Sequence, residues 1–483
     1  MKKVLCAALA ALAVTAMLVM SGCQNGSGPS GNSNDSLYNG EELNDGLPDI
    51  KFNNEPFRVI ITTDHMCTGD IYTEDHETGD PLHDAVFRRN ANVCERFGIK
   101  IEVYDQENSI SAVSTSVKAG SDEYDLAFVG MVYGSELAQE NLVLPFHKLP
   151  YVNLEQPWWD KDIWNGFSIR NNLMMVNGDI SPSSFSVTSC LFFNKTLLDK
   201  LDIQHPYELV RQGKWTLDRL YEITKDATVD LDGDLKATPD SDMDRFGLAA
   251  WCLDAPYSFY YAAGGMLVSK DRDDVPYYNA DLERDTLIYN KIYNVVIKNN
   301  AYFETDLDFV ERVGQTFLEG RALFYDATLS TAEILREMDD EYGFVPVPKF
   351  DELQSEYKSF VNGGSAMLCV PATVPESRRE FVSIIIEALA SEASRTVTPV
   401  LKENYLKRKI TRDADSADMI DYIVKHRVYD MAYINMHLGV GSYVKELLTK
   451  KATDISSTLK NYQKVSEKKI QLIVKAFDKS LNS

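Results

Sequence analysis

Most of the usual signatures of covalent chemistry are missing from this chain. It has no GxSxG, HExxH or GxGxxG motif and no Walker phosphate loop, so the hydrolase, zinc-protease, dinucleotide and P-loop classes that use them have no foothold. The histidines (His65, His76, His83, His147, His205, His426 and His437) show no metal-ligand spacing. Cysteine is sparse, seven in 483 residues, with no CxxC pair, which argues against a zinc site. Positive charge is short: 49 Lys and Arg face 73 Asp and Glu, a net charge of −24. A phosphate backbone needs a basic footprint, so nucleic acid is excluded as a partner. Beyond the N-terminus no long apolar run occurs, which excludes a polytopic membrane protein. Apolar residues at 44 % and charged residues at 25 % are ordinary for a globular protein. The length allows two to three domains' worth of core.

The N-terminus carries the one apolar run. Met1-Lys2-Lys3 is a short basic start, Val4 to Met20 is almost unbroken apolar sequence, and Met20-Ser21-Gly22-Cys23 follows. Small residues just before a cysteine at the end of such a run resemble a bacterial lipobox, although Met20 stands where Leu is usual. The resemblance implies cleavage after residue 22, lipid on Cys23 and a location at the outer face of the cell membrane of a bacterium, expected to be Gram-positive. An uncleaved transmembrane anchor is the alternative. Residues 23–51 are rich in Gly, Ser, Asn and Asp and read as a flexible tether with a reach of roughly 25–30 Å. Of the later cysteines, Cys67, Cys94, Cys190, Cys252 and Cys369 are expected as free buried thiols.

From residue 52 the pattern becomes that of a folded body. Phe57–Thr62 is β-rich, His83–Phe97 has helical periodicity closed by Gly98, and Ile99–Val103 alternates. Ile110–Ala119 then reads as a helix and Asp125–Gly130 as a strand. This βαβαβ rhythm predicts a right-handed parallel sheet, with ligands beyond the strand C-termini at Thr63–Cys67 and Gly130–Gly134. Helical stretches follow at 216–229, 282–299, 308–319, 329–338, 376–391, 414–433 and 455–481.

Several phrases resemble, in order, those of the extracellular solute-binding proteins of carbohydrate-type ABC importers, the maltose-binding-protein-like class. They are Tyr124-Asp125-Leu126-Ala127-Phe128 with Glu140-Asn141-Leu142-Val143-Leu144-Pro145-Phe146, then Phe193-Asn194-Lys195-Thr196-Leu197-Leu198, then Gly213-Lys214-Trp215-Thr216. Phe317-Leu318-Glu319-Gly320-Arg321-Ala322-Leu323-Phe324 and Gly343-Phe344-Val345-Pro346-Val347-Pro348 complete the series, which spans roughly residues 52–480. Thr411-Arg412-Asp413 with Asp418-Met419-Ile420-Asp421 is similar to a subgroup common in Gram-positive clostridia. The resemblance implies an α/β fold of the two-lobed periplasmic-binding-protein type (type II) with a hinge between lobes. Lobe one is expected at 52–185 plus 358–412, and lobe two at 186–357 plus 413–483. It also implies a monomer that captures a sugar or oligosaccharide by hinge closure, without catalysis, and delivers it to ABC permease subunits.

Sugar rings stack their C–H faces on aromatics and present hydroxyls to Asp, Asn or Glu. The family template places Tyr133, Asp179, Trp251, Tyr325, Asp326 and Asn362 at the cleft, beside Met131, Ser181, Asp254, Tyr257, Gly363 and Gly364. Trp158, Trp159 and Trp164 form a cluster that reads as core or surface shelf. Asp230, Asp232 and Asp234 stand at positions 1, 3 and 5 of an acidic turn, a pattern suited to a hard cation. Leu235 and Ser241 occupy the positions where an EF-hand needs Gly and Glu, so an EF-hand is excluded. The alternatives left are a structural Ca²⁺, the one cofactor contemplated, and a solvated acidic turn. Two other functions stay open: a lipid-anchored glycoside hydrolase, whose carboxylate pair sequence cannot single out, and a lobe presenting ligand to a membrane kinase.

Overall fold

The computed structural model describes residues 44–62, 68–71, 74–403, 413–435 and 439–481. The lipobox with Cys23, most of the tether, the Thr63–Cys67 loop with His65 and Cys67, Thr411, Arg412 and His437 lie outside them.

Thirteen strands are assigned among the described residues. In chain order they are β1 (Glu55–Thr62), β2 (Ile99–Gln106), β3 (Leu126–Gly130), β4 (Ser189–Asn194), β5 (Phe246–Trp251), β6 (Val268–Lys270), β7 (Pro276–Tyr278), β8 (Tyr302–Glu304), β9 (Ala322–Thr328), β10 (Tyr342–Val345), β11 (Ser359–Phe360), β12 (Ala366–Cys369) and β13 (Arg427–Val428). The first sheet runs β12-β3-β1-β2 and the second β10-β4-β9-β5-β8. Each sheet is flanked by helices, giving two α/β lobes.

Local chemistry sets the first lobe. Leu82 and His83 donate their backbone N–H groups to the Asp80 carboxylate, Pro81 opens the helix Pro81–Phe97, and Gly98 closes it at φ 60°. The chain then re-enters beside β1, and β1 and β2 pair in parallel from Glu55↔Ile99 to Thr62↔Gln106. β3 joins the other side of β1 in parallel, and β12 closes that edge antiparallel. The buried Asp125 clamps this lobe. It is 0 % exposed and takes Arg58 Nη2 at 2.7 Å and Arg378 Nε at 2.6 Å. Burial alone would raise its pKa, but the bonds from Arg378 and Arg58 outweigh that and hold it below the ordinary carboxylate value.

The second lobe is cemented by aromatics. Phe192 of β4 meets Tyr325, Tyr342 and Phe344 at 6.3, 6.0 and 5.6 Å between ring centres. On the opposite face Phe193 meets Tyr207 at 5.1 Å, and Trp215 meets Phe324 at 5.9 Å while donating Nε1–H to the Pro346 carbonyl at 2.9 Å. Thus the phrases that carry the family resemblance do structural work. Asn194 caps a helix by accepting from Leu197 N, Lys195 pairs with Asp413, and Thr216 caps by accepting from Arg219 N.

The lobes are joined by two crossings that run side by side, with Thr188 bridging Val361 antiparallel. The helical reading of 414–433 is corrected here. The helix Ala414–Lys425 stops, Arg427–Val428 pairs as β13 with β11 next to the second crossing, and a short helix Met431–Ile434 follows. The C-terminal segment also touches both lobes: Ala414–Lys425 packs on β10, whereas Met431–Ile434 and the helix Ile455–Leu481 reach the helix Met131–Gln139 of lobe one. Residues Asn44–Ser483 form one compact unit. The thiols of Cys190, Cys252 and Cys369 are free and buried, and that of Cys94 is free and half-buried.

Candidate solute-binding cleft

The second crossing is a junction of four segments. Asn362 donates its backbone N–H to Val187 O of the first crossing at 3.1 Å, and its Nδ2 to Asp254 Oδ1 of lobe two at 2.6 Å. Gly363 O accepts from Met131 N of lobe one at 2.9 Å, and Gly363 N donates to the Tyr433 hydroxyl at 3.0 Å. A Cβ at residue 363 would sit 2.9 Å from the Tyr433 hydroxyl and 3.0 Å from Val132 Cγ2, so a larger residue there would push on the Tyr433 ring.

On the lobe-two side, β5 ends at Trp251 and the helix Ala255–Ala262 begins four residues on, with Asp254 at its cap position. Asp254 makes no side-chain cap bond and instead turns its carboxylate to Asn362. Ser258, one helical turn later, donates Oγ–H to Asp326 Oδ1 of β9 at 2.6 Å. Asp326 is 3 % exposed, and its Oδ2 is buried without a partner among the described residues. Burial lifts Asp326 to about 8; the Ser258 bond opposes this and the Asp254 charge adds to it. Asp254 itself is raised by burial to about 6, against the Asn362 bond. Trp251 is half-buried, with its indole N–H buried and unpartnered among the described residues. Behind this nest Tyr257 packs on Tyr433 at 4.9 Å and Tyr433 on Phe360 at 4.6 Å.

Tyr133, in the first turn of the helix Met131–Gln139, is 37 % exposed. Its ring lies beside Gly130, where a Cβ would meet it at 3.2 Å and Gly363 O at 3.4 Å. The fold therefore gathers Asn362, Asp254 and Asp326 at the junction, with Tyr133 on the lobe-one side and Trp251 at the end of β5. Ser258 was not singled out from sequence, although its spacing of four from Asp254 puts both on one helix face. Tyr433 gave no sequence signal, because its contact to Gly363 is long-range.

Two expected cleft residues go elsewhere. Successive residues of a strand point to opposite faces, so Tyr325 leaves β9 on the other side from Asp326. It packs on Phe317 at 5.6 Å and Phe192 at 6.3 Å, with its hydroxyl against Gly314. Asp179 is buried on the first crossing, its pKa lifted to about 6 by burial and eased by Lys402, Thr398 and Arg427. Its neighbourhood includes Asp160, which takes Arg427 Nη2 at 2.7 Å and the Tyr429 hydroxyl at 2.9 Å. Ser181, on the same crossing, donates to Asp70 Oδ2 at 2.5 Å.

Two depressions lie near the crossings. One, of about 260 Å³, opens between Asp70 and His83 of lobe one, Ser183 and Ser186 of the first crossing, and Glu333 after β9. The other, of about 290 Å³, is lined by Trp159, Trp164, Asp160 and Asn177. Trp158 and Trp159 are buried, whereas Trp164 is only half-buried.

In the acidic turn, Asp230, Asp232 and Asp244 bring carboxylate oxygens within 4.8 Å of one another. Asp234 is outside this group and accepts from Lys236 N at 2.9 Å. The three carboxylates that the turn brings together are therefore Asp230, Asp232 and Asp244. The same carboxylates already accept backbone N–H groups: Asp230 from Gly233 and Leu235, Asp244 from Leu231 and Thr238.

No family model and no curated relative matches the chain. Solved structures do. The fold is that of ABC solute-binding proteins. A cyclo/maltodextrin-binding protein complexed with maltotetraose matches with a TM-score of 0.56 at 14 % identity, over 87 % of this chain and 99 % of that one. An ABC substrate-binding protein from Listeria monocytogenes in complex with cycloalternan matches at 0.55 and 11 % identity, over 86 % and 99 %. An ABC transporter solute-binding protein from Agrobacterium radiobacter K84 in complex with ribitol matches at 0.51 and 14 %, over 86 % and 99 %. These solute-binding proteins share the two-lobed α/β architecture with this chain.

Proposed function

We propose that this chain is a solute-binding protein that captures a sugar or oligosaccharide between its lobes and delivers it to an ABC permease, held at the outer membrane face by lipid on Cys23. One observation carries the reading: the bond from Asn362 to Asp254 at 2.6 Å sets a polar nest of lobe two directly against the crossing that also holds Met131 of lobe one. A solute seated there would touch both lobes only when they close, so its binding energy would shift the open–closed equilibrium toward the closed state. Trp251 and Tyr133 supply aromatic faces for the C–H side of a sugar ring, and Asp254, Asp326 and Asn362 supply partners for its hydroxyls. The solutes in the matched structures are two oligosaccharides, maltotetraose and cycloalternan, and one sugar alcohol, ribitol. Transport energy comes from ATP in the partner, and the chain itself acts by binding.

A thermal-shift screen against mono- and oligosaccharides tests this. A solute at a hundred times its Kd adds about 2.7 kcal/mol of stability, and the expected result is a rise in Tm with the sugar recovered intact. A sugar that is consumed would move the protein to the hydrolase class. Silence across the panel with a folded chain would defeat the sugar reading.

A further inference from the structure

Among the described residues the nest holds two carboxylates and no cationic side chain. Asp326 accepts from Ser258 through Oδ1, and its Oδ2 is buried with no partner among the described residues. Asp254 accepts from Asn362. Among the described residues the groups that act on these two acids are neutral: Cys190 of β4 and Ser258 at Asp326, and Cys252, Tyr257, Asn362 and Tyr433 at Asp254, with Tyr325 a further neutral neighbour on the opposite face of β9. Burial pushes the Cys190 thiol and the three tyrosine hydroxyls above their ordinary values, so none supplies a counter-charge. Among the described residues no Lys, Arg or His acts on either carboxylate, and the charge that acts on Asp326 is that of Asp254. The contrast is Asp125, equally buried, which holds two arginines.

An isolated buried carboxylate is costly unless a cation or several donors meet it. Among the described residues neither reaches Asp326 Oδ2. On the reading of this nest as the solute site, we infer that the solute carries a protonated primary amine, seated against Asp326 and Asp254. An ammonium group brings three N–H donors and a unit charge, which fits an unpaired carboxylate oxygen beside a second carboxylate. The half-buried indole of Trp251 adds a face that attracts cations. At neutral pH Asp326 is protonated in the empty nest. Ammonium binding favours its ionised form, so its proton passes to solvent while the ligand keeps its own. Capture is therefore coupled to release of up to one proton. Two sources share this chemistry: an amino sugar and an aliphatic polyamine.

Calorimetric titration of the purified chain at pH 6, where Asp326 at about 8 keeps its proton and the glucosamine amine is an ammonium, separates them, with a glucosamine trimer, its N-acetylated counterpart, maltotriose and putrescine as probes. The expected result is at least about tenfold tighter binding of the glucosamine trimer than of either neutral trimer, a 1.4 kcal/mol difference. That binding should release protons, detected as a dependence of the heat on buffer ionisation. Asp326→Asn should abolish both preference and proton release. If the variant fails to fold, proton release by the unaltered chain still decides. Binding of putrescine alone would keep the ammonium inference and assign it to polyamines, at the expense of the sugar reading. Equal binding of amino and neutral trimers would overturn the inference and leave the cleft reading intact. No binding of any probe by a folded chain would overturn both.

Discussion

Asn362 on the second crossing donates to Asp254 at the mouth of a lobe-two helix, 2.6 Å away. This bond ties the hinge to the nest, and it opposes the burial that raises the Asp254 carboxyl to about 6. Removing it with Asn362→Ala leaves a half-buried carboxyl without its donor, a loss of about 1 kcal/mol. The expected outcome is a lower Tm together with solute affinity reduced at least about tenfold. A variant with unchanged affinity would remove Asn362 from the site.

Tyr133 and Tyr325 separate binding from folding. Tyr133 is 37 % exposed beside Gly130, so Tyr133→Ala should change stability by no more than about 0.5 kcal/mol while weakening solute binding. Tyr325 packs in the Phe192–Phe317 layer, so Tyr325→Ala should cost about 3–5 kcal/mol and leave the affinity of the folded fraction unchanged. Denaturant unfolding with calorimetric titration reads both. The opposite pattern would place Tyr325 in the cleft.

Asp125 carries a purely structural prediction. Its carboxylate serves Arg58 and Arg378 at once with no exposure to solvent. Asp125→Ala strands two guanidinium groups, and breaking such a buried pair costs about 3–5 kcal/mol. The urea midpoint should fall sharply, with solute affinity of the folded protein unaltered.

Stability should decline as pH rises from about 4 to 8. Burial raises Asp70, Asp179, Asp254, Asp285 and Asp430 to about 6, Glu387 to about 7 and Asp326 to about 8. In that window the unfolded chain has released these protons and the folded chain retains them, so the stabilisation present below the unfolded pKa is lost as pH passes the folded values. Asp125, held low, works the other way only near and below its ordinary value of 3.8. Urea unfolding at pH 5.5 and at pH 8 should give the higher midpoint at pH 5.5. Glu387, which receives both the Trp158 and Trp159 indole N–H groups at 3.0 Å, contributes to the upper part of the decline, and Glu387→Gln should flatten it.

Much of the first lobe was legible because its signals are local. The helical period of His83–Phe97, the stop at Gly98 and the alternation of Ile99–Val103 each report on a few neighbouring residues, and the βαβαβ order follows from them. The helix Ile455–Leu481 was legible from its period for the same reason. The long-range features were not. The 414–433 periodicity is interrupted because Arg427–Val428 gains ladder bonds from Ser359–Phe360, nearly seventy residues earlier. Tyr325 and Asp326 were paired as cleft residues although strand alternation separates them. Asp244 replaces Asp234 in the acidic turn because the loop folds back through the Val229–Arg245 bridge. In each case the deciding partner lies far away in sequence.

The central claim is that solute lies between the lobes at the Asn362 junction. Hydrogen–deuterium exchange of the chain, with and without the most stabilising solute of the screen, tests it directly. The account predicts new protection on both sides of the junction, at Gly130–Tyr133 of lobe one and at Asp254–Ser258 of lobe two. Protection confined to one lobe, or appearing only away from both segments, would contradict it.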